Sequence, residues 1–367
     1  MEEKQPLTED TIQHKCKKCG GIMAFSPSVG ALVCTYCGCQ EEANPGKVEV
    51  KENDYEYWAS NPQMMQTEQT LQAEVKCKQC GATTTFPPDV SSFKCAFCGS
   101  PIVLSEAVQQ RSWTPEYILP FKVDKKQCDA FFAKWVKSLW FLPNGMKQKN
   151  KSDEQFKGVY LPYWTYDAAT RTTYVGERGV NRKVTEKGSD GKTQTRTVTD
   201  WYPAFGTVQR DFDDVLVPAS ESLPKSISRV LTNWDKDNYV PYDPIYVKGF
   251  ITEIYKQDFK ASLPQAKEIM EATIDRDVRN DIGGDTQRVT SKDITYNHVT
   301  FKHVLLPLWT SAFRYKDKTY LFAINGRTGQ VAGQRPYSAI KIALLVLVIV
   351  AILVLVFALN GGGGSGA

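Results

Sequence analysis

The sequence predicts an α+β fold: two small knuckle-built ribbons, a duplicated helix-plus-antiparallel-sheet body and one C-terminal transmembrane helix. Three patterns predict it. Cys16-Lys17-Lys18-Cys19-Gly20 and Cys34-Thr35-Tyr36-Cys37-Gly38 recur, 61 residues on, as Cys77-Lys78-Gln79-Cys80-Gly81 and Cys95-Ala96-Phe97-Cys98-Gly99, with 14 residues between the pairs both times. A Leu-Pro-x-Trp-Thr motif occurs twice, as Leu161-Pro162-Tyr163-Trp164-Thr165 and Leu306-Pro307-Leu308-Trp309-Thr310, each after an amphipathic helical stripe. Ile342 to Leu359 is an unbroken apolar run of 18 residues.

Tetrahedral zinc takes four soft ligands, and two Cys-x-x-Cys knuckles joined by a short hairpin supply them. The pattern therefore predicts two zinc ribbons, over 1–42 and 75–105, with two Zn²⁺ per chain. The ligands are Cys16, Cys19, Cys34 and Cys37 in the first, and Cys77, Cys80, Cys95 and Cys98 in the second. The glycine after each knuckle lets the chain turn beneath the metal at positive φ. Eight thiolates kept for metal imply a reducing compartment. The polar opening Met1-Glu2-Glu3-Lys4-Gln5-Pro6 carries no secretory signal, so the amino-terminal part is expected in the cytosol. Cys39 is either an alternative ligand to Cys37 or a bystander, and the bystander reading is preferred.

Between the ribbons, 43–74 is a polar, acidic connecting segment. Its Tyr55, Tyr57, Trp58, Met64, Met65 and Leu71 point to a helix or a docked segment rather than a free linker. The body divides into unit 1 (106–210) and unit 2 (211–337), each a helix packed on an antiparallel sheet. The first helix is expected from about Lys125 to Trp140, with Cys128, Phe131, Phe132, Trp135, Val136 and Leu139 on its apolar stripe. Asp124 caps it, with Gln127 in the reciprocal position. Cys128 falls on that stripe and reads as a buried structural thiol. The second helix is expected from about Leu263 to Ile282, with a Ser262/Gln265 capping box, a stop at Gly283-Gly284 and a stripe of Ala266, Ile269, Met270, Ile274, Val278 and Ile282. A hairpin is expected over Arg171 to Gly206 with its tip at Gly188-Ser189-Asp190-Gly191. A strand-like run, Phe313 to Ile324, precedes the turn dipeptide Asn325-Gly326.

At 1.5 Å per residue the apolar run spans roughly 27 Å, close to the thickness of a hydrocarbon core, so 338–360 is read as a membrane helix. Arg335 and Lys341 precede it and nothing basic follows, which leaves the body in the cytoplasm by the positive-inside rule. The glycine-rich 361–367 reads as an appended linker.

With its paired Cys-x-x-Cys-Gly quartets, Ile118-Leu119-Pro120-Phe121, Val159-Tyr160-Leu161-Pro162-Tyr163-Trp164, Leu216-Val217-Pro218-Ala219-Ser220, Gly249-Phe250-Ile251-Thr252-Glu253-Ile254-Tyr255 and terminal span, the chain resembles a family. It is the bacterial YdjG-like double-zinc-ribbon (TFIIB-type zinc ribbon) membrane proteins. The resemblance implies a setting beside SPFH (stomatin or flotillin-like) and phage-shock-type membrane-stress proteins. It further implies an adaptor that holds such a cytoplasmic partner at the bacterial cytoplasmic membrane.

No enzyme is expected. The three histidines, His14, His298 and His303, form no metal or catalytic motif, and no His-Glu-x-x-His, Gly-x-Ser-x-Gly or phosphate-loop pattern occurs. In a regular strand His298 and His303 face opposite sides. His14 reads as at most a spare ligand beside a closed site. A membrane-tethered nucleic-acid-binding or regulatory protein is the competing class, and charge disfavours it. Residues 1–42 carry four lysines and six acids, and 75–105 three lysines and one acid. Four thiolates and one Zn²⁺ subtract about two charges from each ribbon, so neither offers the cationic stripe that phosphates require. Phe25, Tyr36, Phe86, Phe93 and Phe97 read as the small cores beneath the metal sites rather than as stacking platforms. A basic cluster from Lys122 to Lys151, eight lysines against two aspartates, reads first as a solvated helix face and secondarily as a contact for membrane lipid.

Overall fold

The computed structural model describes residues 15–43, 50–61, 69–85, 92–97, 99–103, 108–143, 156–187, 193–315 and 318–361. The first repeat contributes β1 (Tyr117–Ile118), α1 (Lys125–Ser138), β2 (Lys157–Lys187) and β3 (Thr193–Pro218). The second contributes β4 (Ile251–Thr252), α2 (Phe259–Ile282), β5 (Thr286–Tyr315) and β6 (Lys318–Asn325), and α3 (Ala339–Gly361) follows. The chain is a mixed α+β protein, but the body repeats do not build two separate sheets. β2 and β5 pair antiparallel from Lys157↔Thr310 to Gly179↔Thr286, and the two motif copies meet at the pair Leu161↔Leu306. One sheet with a local two-fold through that pair replaces the two expected units.

The exchange between repeats is reciprocal. β1 runs parallel to β5 through Ile118↔Leu305, and β4 runs parallel to β2 through Thr252↔Tyr160. Trp164 Nε1 donates to the Gln257 carbonyl at 2.8 Å, and Trp309 Nε1 donates to the Val123 carbonyl at 2.9 Å. Each acceptor immediately precedes the helix-capping aspartate of the opposite repeat, Asp258 or Asp124. The backbone repeats the pattern: Lys256 N–H donates to Ala219 O at 2.7 Å and Lys122 N–H to Gly326 O at 2.9 Å. A buried indole N–H requires an acceptor, so the motif tryptophan fixes where its partner's helix begins.

The motif prolines are compatible with central strands for a local reason. Pro162 O accepts from Ala219 N–H at 3.0 Å and Pro307 O from Gly326 N–H at 2.8 Å. Carbonyl and missing N–H therefore face outward, where β3 and β6 have ended, and the β2–β5 ladder loses nothing.

α1 carries the predicted capping box between Asp124 and Gln127. Cys128, Phe132, Val136 and Leu139 are buried, with Phe131 and Trp135 half-buried beside them. α2 starts a turn earlier than the sequence suggested. Asp258 accepts from Ala261 N–H at 2.8 Å, and Ser262, the expected cap, is buried inside the helix. Trp164 and Asp258 set that start together, and the helix accommodates Pro264 on its exposed side. It stops at Gly283, whose φ is +69°. Ile269 faces outward, unlike the rest of its predicted stripe. The first hairpin is longer than expected, joining β2 from Tyr163 to Lys187 with β3, with its tip outside the described residues. The run predicted from Phe313 to Ile324 contains a chain reversal between β5 and β6. Asn325-Gly326 opens a further turn onto Val331–Gly333, where Gly329 takes φ +73°.

Val159–Tyr166 of β2 and Phe301–Ser311 of β5 are buried on both faces. Both helices lie on one side, over Tyr160, Trp164 and Tyr166; the second ribbon and Leu223, Ile227, Leu231 and Trp234 cover the other. Double coverage explains why both motifs read as continuous apolar runs rather than alternating ones. α3 shares none of this core: its apolar stretch Ala339–Phe357 has no part buried in the body.

Replacing Trp309 by Phe keeps the ring and leaves the Val123 carbonyl without its donor. The expected loss is about 1–3 kcal/mol of unfolding free energy, with a similar loss for Trp164→Phe, measured by denaturant titration of the detergent-solubilised chain. Unchanged midpoints in both variants would refute the reciprocal capping role.

Candidate metal centres

Each described knuckle is built by one backbone pattern. The first cysteine's N–H donates to the residue five positions on (Cys16 to Gly21 O, 2.7 Å; Cys34 to Cys39 O, 2.8 Å; Cys77 to Ala82 O, 2.8 Å; Cys95 to Ser100 O, 2.8 Å). The glycine N–H returns to the first cysteine's carbonyl, at 2.8 Å for Gly20, 3.0 Å for Gly38, 2.8 Å for Gly81 and 3.1 Å for Gly99. These glycines take φ of +71°, +71°, +78° and +74°, the left-handed turn expected of them.

In the first ribbon the sulfurs of Cys16, Cys19, Cys34 and Cys37 all lie within 4.8 Å of one another, with Cys16–Cys37 at 3.6 Å and Cys19–Cys34 at 3.5 Å. A tetrahedron with metal–sulfur bonds of about 2.3 Å has edges of about 3.8 Å, so the group fits a single four-coordinate ion. Backbone N–H groups, that of Cys37 first, draw the Cys34 thiol down to about 6, whereas the Cys19 thiol, against the pull of the Gly21 backbone, is pushed up to about 12 by the Cys37 and Cys34 sulfurs. In the second ribbon Cys77, Cys80 and Cys95 converge likewise, with Cys80–Cys95 at 3.6 Å; Cys98 lies outside the described residues. Cys39 is half-buried and outside the cluster, and Cys128 is buried in α1, its thiol pushed up to about 12 by burial.

Both ribbons are seated on the body. Phe25 packs edge-on to Tyr246 at 5.3 Å, and its N–H donates to Lys248 O at 3.1 Å. In the second ribbon Phe97 is buried, Ala96 O accepts from Thr310 Oγ1 at 2.9 Å, and Cys95 O accepts from Lys157 Nζ at 3.2 Å. Phe25 and Phe97 thus fill cores as expected, whereas Tyr36 is 90% exposed. Phe86 and the side chain of Phe93 lie outside the described residues. The connecting segment is docked too: its helix Tyr55–Ser60 sets Trp58 against Trp113 at 4.9 Å and Tyr55 against Phe259 at 5.6 Å.

A separate charged cluster in the body had no sequence signature, because four separate segments supply it. Glu52, Asp167 and Asp213 converge within 4.8 Å, but Lys302 brings the cation. Its buried Nζ lies 2.9 Å from Glu52 Oε1 and 2.8 Å from Asp214 Oδ1. Burial, then the neighbouring Glu52, push the Asp167 carboxyl upward. Bulges in the strands on both sides of Asp167 put Asp214 at φ 52° and His298 at φ 50°, and of these two Asp214 is the one turned inward and buried. His298 is exposed and sits in the bulge itself, and His303 is buried in the stretch covered on both faces, so the regular alternation expected to separate them is broken between the two. The His303 ring stacks on Trp164 at 4.7 Å, and burial presses its pKa down to about 3 against the pull of the Thr114 and Trp113 backbone. It is a neutral core ring. His14 lies outside the described residues.

The chain is similar to a protein of Bacillus subtilis (strain 168) named uncharacterized protein YdjG. The two are 28% identical over 335 residues, spanning 90% of this chain and 92% of the relative. No family model matches the chain.

Elemental analysis of purified protein is expected to give one bound ion per ribbon, two per chain, and Cys34→Ser is expected to lose one. A ratio near zero in folded protein refutes both sites. His303 gives a pH signature. Its folded pKa lies below the unfolded value, so its stabilising contribution is complete above about 6.5 and falls as pH drops toward 3. At about pH 5.5 the loss is about 1.4 kcal/mol. His303→Gln should lack that increment when urea midpoints near neutral pH and near pH 5.5 are compared; an identical pH response would refute it.

Proposed function

We propose that this protein is a single-pass membrane adaptor whose two zinc ribbons and α+β body recruit a protein partner to the bacterial cytoplasmic membrane. One observation carries the reading: α3 is long enough and apolar enough to cross a bilayer, and none of its apolar stretch is buried in the body. A helix apolar on every side, with no protein to cover it, is stable in lipid. Arg335 and Lys341 precede the apolar run, which supports a cytoplasmic body by the positive-inside rule.

Zinc is the ion assigned to both clusters. Four thiolates at tetrahedral spacing suit a d¹⁰ ion with no geometric demand of its own, and a closed four-sulfur site leaves no position for substrate. Cys16, Cys19, Cys34 and Cys37 hold the first ion; Cys77, Cys80 and Cys95, with Cys98, hold the second. Their role is to stiffen small surfaces, so that little entropy is lost when a partner binds. The partner is assigned to the SPFH (flotillin-like) class with a role in membrane stress, an assignment that rests on the sequence resemblance. Contact is placed at the exposed knuckle of the first ribbon around Tyr36.

Because both ribbons share core with the body, deleting them would expose apolar surface, and a surface substitution is the cleaner test. Tyr36→Glu should leave the chain in the membrane and lower co-purification of a co-expressed SPFH protein about tenfold or more, the scale of a lost aromatic anchor. Removing residues 339 onward should yield a soluble complex. Capture of the partner undiminished by Tyr36→Glu would move the contact off the ribbon. Steeply salt-dependent nucleic-acid binding by the chain would favour the competing class.

A further inference from the structure

The first turn of α3 is tied to the body. Ser338 N–H donates to Phe141 O at 2.8 Å. Lys341 Nζ donates to Trp140 O at 3.0 Å and to Leu142 O at 2.8 Å, holding the turn that follows α1. Lys341 is the last charged residue before the apolar run begins at Ile342. Its ammonium therefore stands at headgroup level when the run is in hydrocarbon, and the two carbonyls it holds stand there with it. The end of α1 and the start of α3 are thus at one depth.

What surrounds that junction fits the interface. Trp140 is 67% exposed and Tyr337 59% exposed, each with an apolar body and a polar edge. Tyr337 lines a groove of about 580 Å³ whose walls include Tyr315, Tyr320, Lys318 and Lys341 and no acidic side chain among the described residues. Exposed Lys137 stands on the last turn of α1, and Arg335 lies over the Tyr337 ring at 5.4 Å. Aromatic groups at headgroup depth around a cationic groove complement phosphate and glycerol rather than acyl chains or a neutral protein face.

We propose that this foot, with Trp140 and Tyr337 as interfacial anchors and Lys318 and Lys341 at the groove, is a docking surface for anionic phospholipid headgroups. It would seat the body against the bilayer instead of leaving it on a free tether. The proposal rests on the membrane-spanning reading of α3. Anionic lipid is the chosen occupant because the span delivers the groove to the headgroup layer and, among the described residues, the groove's charged side chains are lysines.

The full-length chain is reconstituted in phosphatidylcholine nanodiscs with and without phosphatidylglycerol, and amide hydrogen exchange is followed over residues 139–143, 318–321 and 335–338. Exchange should slow in the anionic discs relative to neutral ones by about fivefold or more, the contribution of one surface lysine. Added salt should shrink the difference. Lys318→Glu, at an exposed position, should abolish most of it while leaving exchange in the β2–β5 core unchanged. Equal protection in neutral and anionic discs overturns the proposal. Protection seen only in discs holding two chains also overturns it, by giving the face to a second copy. Carbonate extraction separates the two readings. A resistant chain without headgroup-dependent protection defeats this inference alone, whereas a chain released by carbonate defeats the membrane span as well.

Discussion

β2 and β5 lie antiparallel through Leu161 and Leu306, and both are buried on two faces over their central stretches. Everything else is placed by that ladder. Each helix takes its starting point from a tryptophan of the other repeat's strand, each short entry strand adds to the other repeat's long strand, and the second ribbon covers the face that the helices leave open. A half of this body has no complete core of its own. Its helix would lose the indole that marks its first turn and its long strand would lose a neighbour, so the two repeats are expected to unfold as one cooperative unit.

The same ladder explains where polar groups are tolerated inside. Lys302 and Asp214 are buried, and their charges compensate one another with help from Glu52. Such a group contributes little net stability but penalises any register that separates its members. The bulges beside Asp167 serve that geometry, placing two residues at positive φ where a regular strand would turn Asp214 elsewhere.

The ribbons differ from free knuckle modules on a flexible lead. Phe25 and Phe97 are inserted into the body, and backbone contacts reach both knuckle strands. Metal binding and body folding are therefore linked: an ion that orders a knuckle also orders the wall of the main core. Seated ribbons at one place and an apolar helix tied to the turn after α1 at another leave little slack between α3 and the ribbons.

Local chemistry was legible in the sequence because it repeats at fixed spacing. The Cys-x-x-Cys-Gly spacing determined the knuckles and their left-handed glycines, the 3.6-residue stripes determined both helices, Asp124 and Gln127 determined a cap, and the uninterrupted apolar run determined a helix that no protein surface needed to cover. What the tertiary structure decided was everything that depends on pairing between distant segments. The duplicated Leu-Pro-x-Trp-Thr motif was visible, but not that its copies face each other across a dyad and exchange helices, since strand partners leave no trace in local periodicity. The start of α2 followed Trp164 and Asp258 rather than the Ser262/Gln265 pattern, because a buried indole donor from another strand outweighs a local capping signal. The Lys302 cluster, gathered from four segments, and the aromatic foot beside α3, gathered from three, came into being only when the chain closed on itself.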